Sequence, residues 1–153
     1  MTRQIIFPSE VAEISLAYHC TLPKNCATIL CSSDAEETFR YRWDVGKINF
    51  VEEFKILLLN RANKVLGLVS ISQGGVSGTV ADPKLIFAAA LKASASSLIC
   101  CHNHPSGNLK PSQADLQLTR KLVEAGKFLD LPVLDHVILT QESHYSFADE
   151  GFL

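Results

Sequence analysis

Residues 100–115 read CCHNHPSGNLKPSQAD and concentrate the side chains best suited to chemistry. His102 and His104, two of the chain's five histidines, stand one residue apart. On an extended backbone residues i and i+2 project to the same side, so both imidazoles can converge on one ion while Asn103 points elsewhere. Pro105, Ser106 and Gly107 form a reversing turn, and Ser112 is a helix cap. Asp115 then falls at the third helical position, near the positive end of the helix dipole, where an ionised carboxylate is favoured. Two imidazoles, one carboxylate and a water suit the open tetrahedral arrangement of a catalytic zinc site. Such a site also needs a general base that is not itself a ligand. Glu52 and Glu53, at the entrance of an apolar strand, both qualify on position.

The elements that must hold these groups follow from periodicity and punctuation. Alternation in VAEISLAY (11–18) and the apolar run ATILC (27–31) predict two short strands, and SSDAEETFRYRW predicts a helix over 33–43. EFKILLL (53–59) and KVLGLVSIS (64–72), joined by the turn NRANK, predict a hairpin whose first strand is buried. The loop QGGVSGT (73–79) matches neither a dinucleotide fingerprint nor a phosphate loop, and Gly74, Gly75 and Gly78 read as a plain turn in preference to the lining of a substrate groove. Asp82 and Pro83 begin a helix over 83–94, a strand follows at 97–101, and Ser112 begins a helix over 113–127. PVLDHVIL (132–139) and the short HYSFA complete the strands. Strands grouped with interspersed helices predict an α/β or α+β domain with a mixed central sheet.

Composition narrows the classes. A chain of 153 residues with 47% hydrophobic content has enough apolar material for a single core, so one domain over 1–153 is expected. Fourteen basic against sixteen acidic residues give a net charge of −2 without a run of like charge, which does not support a nucleic-acid or membrane partner. No stretch approaches the ~20 apolar residues of a membrane span. The N-terminus lacks the apolar centre of a secretory signal, so a cytoplasmic location is expected. Five cysteines without a C-x-x-C pair argue against a disulfide framework and a zinc ribbon. Cys100 shares a strand face with His102 and His104 but reads as a small core residue. His19, His136 and His144 read as surface or satisfied core residues, His136 through a structural hydrogen bond with Asp135.

The pattern His102-Asn103-His104-Pro105, six residues, Ser112, two residues, Asp115 resembles the metal-binding signature of the JAMM/MPN (JAB) metallohydrolase superfamily. HNHPSGNLKPSQAD together with LDHVIL and SFADEGFL is similar to the RadC family, whose members were named as DNA repair proteins. The likeness runs from about Glu52 to Leu153 and implies His102, His104 and Asp115 as zinc ligands with Ser112 beside the water. The superfamily's upstream glutamate maps onto Glu52 in preference to Glu53. The implied fold is a curved, mixed and largely antiparallel sheet flanked by helices, and the implied chemistry is cleavage of peptide or isopeptide bonds. Longer RadC proteins carry an N-terminal helix-hairpin-helix region whose glycine pattern residues 1–50 do not show. This short form looks like versions found with mobile genetic elements, and its link to DNA is weaker. Short connections after Asp115 leave little room for ubiquitin-holding insertions, so a ubiquitin-like substrate is not implied.

Three classes of function follow: a zinc metallohydrolase acting on an unknown peptide or protein substrate, an accessory protein in DNA repair or mobile elements that binds nucleic acid or a protein partner, and a catalytically silent MPN scaffold. Oligomeric state is not legible in the sequence. The zinc deaminase alternative lacks its H-x-E and C-x-x-C signature.

Overall fold

The computed structural model describes residues 25–75 and 78–153. Three helices and five strands follow one another as α1 (Ser32–Tyr41), β1 (Glu53–Leu59), β2 (Val65–Gln73), α2 (Pro83–Lys92), β3 (Ser97–Asn103), α3 (Gln113–Phe128), β4 (Val133–Leu139) and β5 (His144–Ser146). The strands form one sheet in the order β2-β1-β3-β4-β5. Among the described residues only the β3–β4 pair is parallel. This is the α+β class with a mixed, mainly antiparallel sheet that the sequence predicts. Among the described residues no helix is long and apolar enough to cross a membrane.

The central strand explains the layering. All seven residues of β1 are buried, as a continuous apolar run between two paired neighbours requires when both sheet faces are covered. Phe54, Ile56 and Leu58 point to one face, where they join Ile86, Phe87 and Ala90 of α2 and Leu122 of α3. Leu57 and Leu59 point to the other face, against Ala35 and Phe39 of α1 together with Trp43 and Ile48. The sheet is thus sandwiched between α1 on one side and α2 with α3 on the other.

Local chemistry sets the boundaries. The hairpin between β1 and β2 turns at Asn63, which adopts φ 54°, a left-handed conformation that asparagine tolerates better than most residues. Asn60 closes the turn by accepting from the backbone N–H groups of Ala62 and Lys64 at 2.9 and 3.0 Å. α2 begins as Asp82-Pro83 predicts, with the Asp82 carboxylate accepting from Lys84 N–H at 2.9 Å. β3 and β4 are parallel, and the crossover that this demands is α3. At Gly126 a Cβ would lie 2.5 Å from the carbonyl oxygen of Leu131, so only glycine lets the chain leave α3 this tightly.

Two expectations change. ATILC is not a strand: Thr28 makes an isolated bridge to Lys64, and only Ile29 of residues 27–30 is buried before α1 starts at Ser32. One inward side chain cannot sustain a ladder. α1 itself starts one residue before the predicted boundary because its cap comes from inside the helix, where the Asp34 carboxylate accepts from Leu30 and Cys31 N–H at 2.7 and 3.2 Å. The strand predicted at 11–18 lies outside the described residues.

The layering predicts unequal costs for two truncations. Leu57→Ala, in the fully buried face under α1, should cost about 2–5 kcal/mol. Tyr41→Ala, at a side chain 86% exposed on the same helix's last position, should stay within about 0.5 kcal/mol. Urea denaturation of both variants checks this, and equal costs would contradict the packing described.

Candidate metal centre

The centre lies where the parallel strands end. Phe54 of β1 pairs with His102 of β3, which pairs in turn with Ile138 of β4. Strand alternation places His102 on the α2/α3 face. β3 stops at Asn103, but the backbone N–H of His104 still bonds to Leu139 O at 2.8 Å, so the extended path continues long enough to return His104 to the same side. The two Nε2 atoms lie 3.0 Å apart. Pro105 to Gly107 then turn the chain, with Gly107 N–H donating to His104 O and Gly107 at φ 77°.

Asp115 arrives from the start of α3. The Ser112 hydroxyl accepts from Asp115 N–H at 3.2 Å, while the Asp115 carboxylate accepts from Ser112 N–H at 2.6 Å, a reciprocal capping box. That box also aims the carboxylate at the histidines. One oxygen is 3.3 Å from His102 Nε2 and the other 3.6 Å from His104 Nε2. Ligand atoms of all three residues lie within 4.8 Å of one another. A tetrahedral ion with bonds of about 2.0–2.1 Å needs ligand atoms about 3.3 Å apart. The 3.0 Å between the two imidazole nitrogens and the 3.3 Å from His102 Nε2 to one Asp115 oxygen lie close to that edge length, and the other Asp115 oxygen is the one nearer His104. The three side chains can therefore hold a metal ion.

Glu52 and Glu53 take opposite sides. Glu53 is buried on the α1 face, where Lys55 Nζ lies 3.2 Å and Lys47 Nζ 3.9 Å from its carboxylate oxygens. Glu52 instead lines a groove of about 420 Å³ together with Thr79, His104, Ser106, Ser112 and Asp115. Its carboxylate accepts from Thr79 N–H at 3.2 Å, and its backbone exchanges bonds with Gly74 and Gly75 at 2.8 and 3.1 Å. A Cβ on Gly74 would meet Gly78 O at 1.9 Å. This turn, read as plain in the sequence, is the backbone clasp that holds Glu52.

Asn103 is a further positioning group that loop chemistry obscures in the sequence. Its buried amide donates to Ile48 O and Val51 O at 2.7 and 2.9 Å and accepts from Glu53 N–H at 2.7 Å. It pins the segment carrying Glu52 to the strand carrying His102.

His136 is the satisfied core residue that the sequence predicts, but its ring partner is not the adjacent Asp135. Asp135 bonds to Ser146 Oγ, Ala148 N–H and the backbone N–H of His136, but not to the His136 ring. The ring faces the other way, with Nε2 2.8 Å from His102 Nδ1 and Nδ1 2.6 Å from Thr119 Oγ1. A polar residue in the middle of an apolar β4, and a threonine four residues after Asp115, were the available signals. Cys100 shares the His102 face, yet burial pushes its thiol far above the ordinary range, and it stands outside the cluster.

Residues 29–152 match the family described as the RadC-like JAB domain. The chain belongs to that family. Relatives named UPF0758 protein occur in Flavobacterium johnsoniae, 52% identical over 100 residues that make up 65% of this chain and 44% of that protein, and in Salinibacter ruber, 43% identical over 102 residues, 67% of this chain and 44% of that protein. A third, named UPF0758 protein tlr1707, from Thermosynechococcus vestitus, is 46% identical over 98 residues, 64% of this chain and 39% of that protein. The chain thus spans less than half the length of these curated relatives. Its α+β fold is consistent with a JAB domain.

Electrostatics in this JAB domain follow from the cluster. Burial opposes ionisation of Asp115, but the hydrogen bonds from His102 and His104, the charge of His102 and the Ser112 cap outweigh it and hold the carboxyl well below its usual range. The hydrogen bond to Asp115 likewise raises His104 above the ordinary 6.5, against burial and with help from the Asn108 carbonyl. Burial drives His136 well below the usual histidine range.

A pH dependence of the metal-free protein results. A folded value raised above 6.5 makes the His104 contribution complete below about pH 6.5 and lost as pH rises through the raised value. Thermal unfolding in chelator should therefore show wild type losing its advantage over His104→Ala as pH is raised from about 6.5 into the mildly alkaline range. A constant difference across that range would refute the assignment.

Proposed function

We propose that the domain is a zinc-dependent hydrolase of amide bonds, acting on a peptide or isopeptide substrate. The observation that carries this reading is the cluster of His102, His104 and Asp115 within 4.8 Å, open to a groove that Glu52 also lines. Two imidazole nitrogens and one carboxylate are a donor set that suits zinc, with a coordination position left over. Zinc bound there would supply Lewis acidity and bring the pKa of a water toward neutrality.

The remaining steps belong to the chain's own residues. Glu52 accepts the proton of the attacking water and delivers it to the leaving nitrogen, so that one carboxylate serves as base and then acid. Thr79 N–H and the Gly74–Gly75 backbone hold that carboxylate against the groove wall. The Ser112 oxygen accepts from Asp115 N–H, which leaves its own proton free to be donated to the substrate's carbonyl oxygen as negative charge develops. Membership of the RadC-like JAB family supports the chemistry, since the JAB superfamily is often hydrolytic.

Screening the protein against peptide and isopeptide libraries, with a chelator control, tests the reading. Once a substrate is in hand, Glu52→Gln should retain the metal and lose on the order of 10²-fold or more in turnover. Glu53→Gln should act on stability instead, through the buried Lys55 it pairs with. Loss of turnover only in Glu53→Gln would move the base to that residue, and loss in neither would end the hydrolase reading.

Ser112 separates two effects on the same samples. Ser112→Ala removes a cap and should cost about 0.5–2 kcal/mol of stability. If the hydroxyl also donates to the carbonyl oxygen, the folded, zinc-loaded variant should fall by up to roughly 10²–10³-fold in turnover. Ser112→Asp should restore the cap without restoring turnover, because a carboxylate repels the developing charge. A fully active, zinc-loaded Ser112→Ala would leave the serine as a cap alone.

A further inference from the structure

Behind the cluster runs a buried polar chain that the hydrolytic steps above do not use. His136 and Thr119 are both fully buried, yet every polar atom on their side chains has a partner. His136 Nε2 lies 2.8 Å from His102 Nδ1, His136 Nδ1 lies 2.6 Å from Thr119 Oγ1, and the Thr119 hydroxyl lies 2.7 Å from the carbonyl oxygen of Asp115. The chain starts at one candidate ligand and ends at another. Phe147 stacks on the His136 ring at 4.8 Å, and Phe54 packs at 5.4 Å, so the ring is held between apolar neighbours.

Counting protons fixes the direction. His102 turns Nε2 toward His104 and Asp115, and a metal there takes that nitrogen's lone pair, so the ring's one proton must sit on Nδ1. His102 Nδ1–H then donates to His136 Nε2. Having accepted there, His136 carries its own proton on Nδ1 and donates it to Thr119 Oγ1, whose hydroxyl donates to Asp115 O. Each donor meets one acceptor. In the reverse direction His136 Nε2–H donates to His102, whose proton then occupies Nε2 and points at the Asp115 carboxylate 3.3 Å away. That arrangement suits the metal-free cluster and blocks the metal.

We propose that His136 and Thr119 are positioning residues that select the metal-ready tautomer of His102 and couple its ring to the helix start carrying Asp115. The inference rests on reading the cluster as a zinc centre. It also distinguishes the two histidines. His104 has its Nδ1–H held by the carbonyl of Asn108 at 2.5 Å, an acceptor with no alternative direction, whereas the His102 link has two directions, and the Thr119 hydroxyl, its one proton given to Asp115 O, favours the one that places the His102 proton on Nδ1.

The test measures zinc affinity by competition with a chromophoric chelator, alongside thermal unfolding of the metal-free proteins. His136→Leu removes the acceptor and Thr119→Val the end of the chain. Both should bind zinc roughly 10–100-fold more weakly than wild type while remaining folded without metal. His136→Gln, which offers an amide oxygen to accept and an amide N–H to donate, should keep most of the affinity, as should Thr119→Ser. Cobalt(II) bound in place of zinc should show altered visible absorption in His136→Leu and a near-normal spectrum in His136→Gln. Wild-type affinity and spectrum in both His136→Leu and Thr119→Val would overturn the relay while leaving the zinc centre standing. No zinc binding by wild type would remove the centre and the relay together. Should His136→Leu fail to fold, the Thr119 pair decides alone, and equal affinities of Thr119→Val and Thr119→Ser would overturn the proposal.

Discussion

The side chain of Asn103 is the join on which the site depends. It sits between two candidate ligands in sequence and, by strand alternation, on the opposite face of the sheet. From there its amide reaches Ile48 O, Val51 O and Glu53 N–H. Three bonds in a fully buried setting hold the approach to β1 against the end of β3. A shorter or apolar side chain would leave those backbone groups unsatisfied, each at a cost of about 1–3 kcal/mol. More consequentially, Glu52 would lose its fixed relation to His102 and His104, because the next restraints on it, Thr79 and Gly74, belong to a surface turn. The geometry of the groove is thus decided on the face of the sheet that the groove does not touch.

What could be read from the sequence was whatever is local. The apolar run of β1, the Asp82-Pro83 and Ser112 caps, and the hairpin turn all act within a few residues of their cause, and the helices and strands they predict appear within a few positions of their expected ends. The His102, His104 and Asp115 cluster was legible for the same reason, since one strand end, one turn and one helix start bring its members together. His136 and Thr119 were not. Their roles arise from the parallel pairing of β3 with β4, which sets His136 beside Cys100 in register and its ring under His102, and from α3 crossing back over that pair. A histidine after an aspartate invites a local hydrogen bond, and alternation sends the two side chains to opposite faces instead. The run at 27–31 failed in the other direction: local apolar character predicted a strand that the early start of α1 leaves no room to pair.

The two histidines meet the cluster from different environments, and their surroundings follow from the elements that carry them. His102 belongs to a strand buried along its length, so its outer nitrogen can find a partner only in the core, and the core provides a neutral imidazole. His104 lies past the strand end beside a turn, so a backbone carbonyl is within reach. Neither histidine is backed by a carboxylate. A carboxylate behind an imidazole strengthens it as a donor to the metal and so softens the metal's pull on its remaining ligand. Neutral acceptors leave more of that pull in place.

Asp115 extends the same tendency. Its carboxylate is at once a helix capping group and a member of the cluster, and the Ser112 N–H at 2.6 Å draws electron density from the oxygens that face the histidines. The helix start adds a partial positive charge of its own. In the proposed centre every anionic or basic donor is therefore shared with a hydrogen-bond partner of the fold, whereas among the described residues the Glu52 carboxylate keeps a single 3.2 Å contact, from Thr79. In the proposed hydrolase this arrangement concentrates rigidity and electron withdrawal on His102, His104 and Asp115 and leaves the Glu52 carboxylate lightly held for the proton transfers assigned to it, the division of labour that metal-assisted hydrolysis requires.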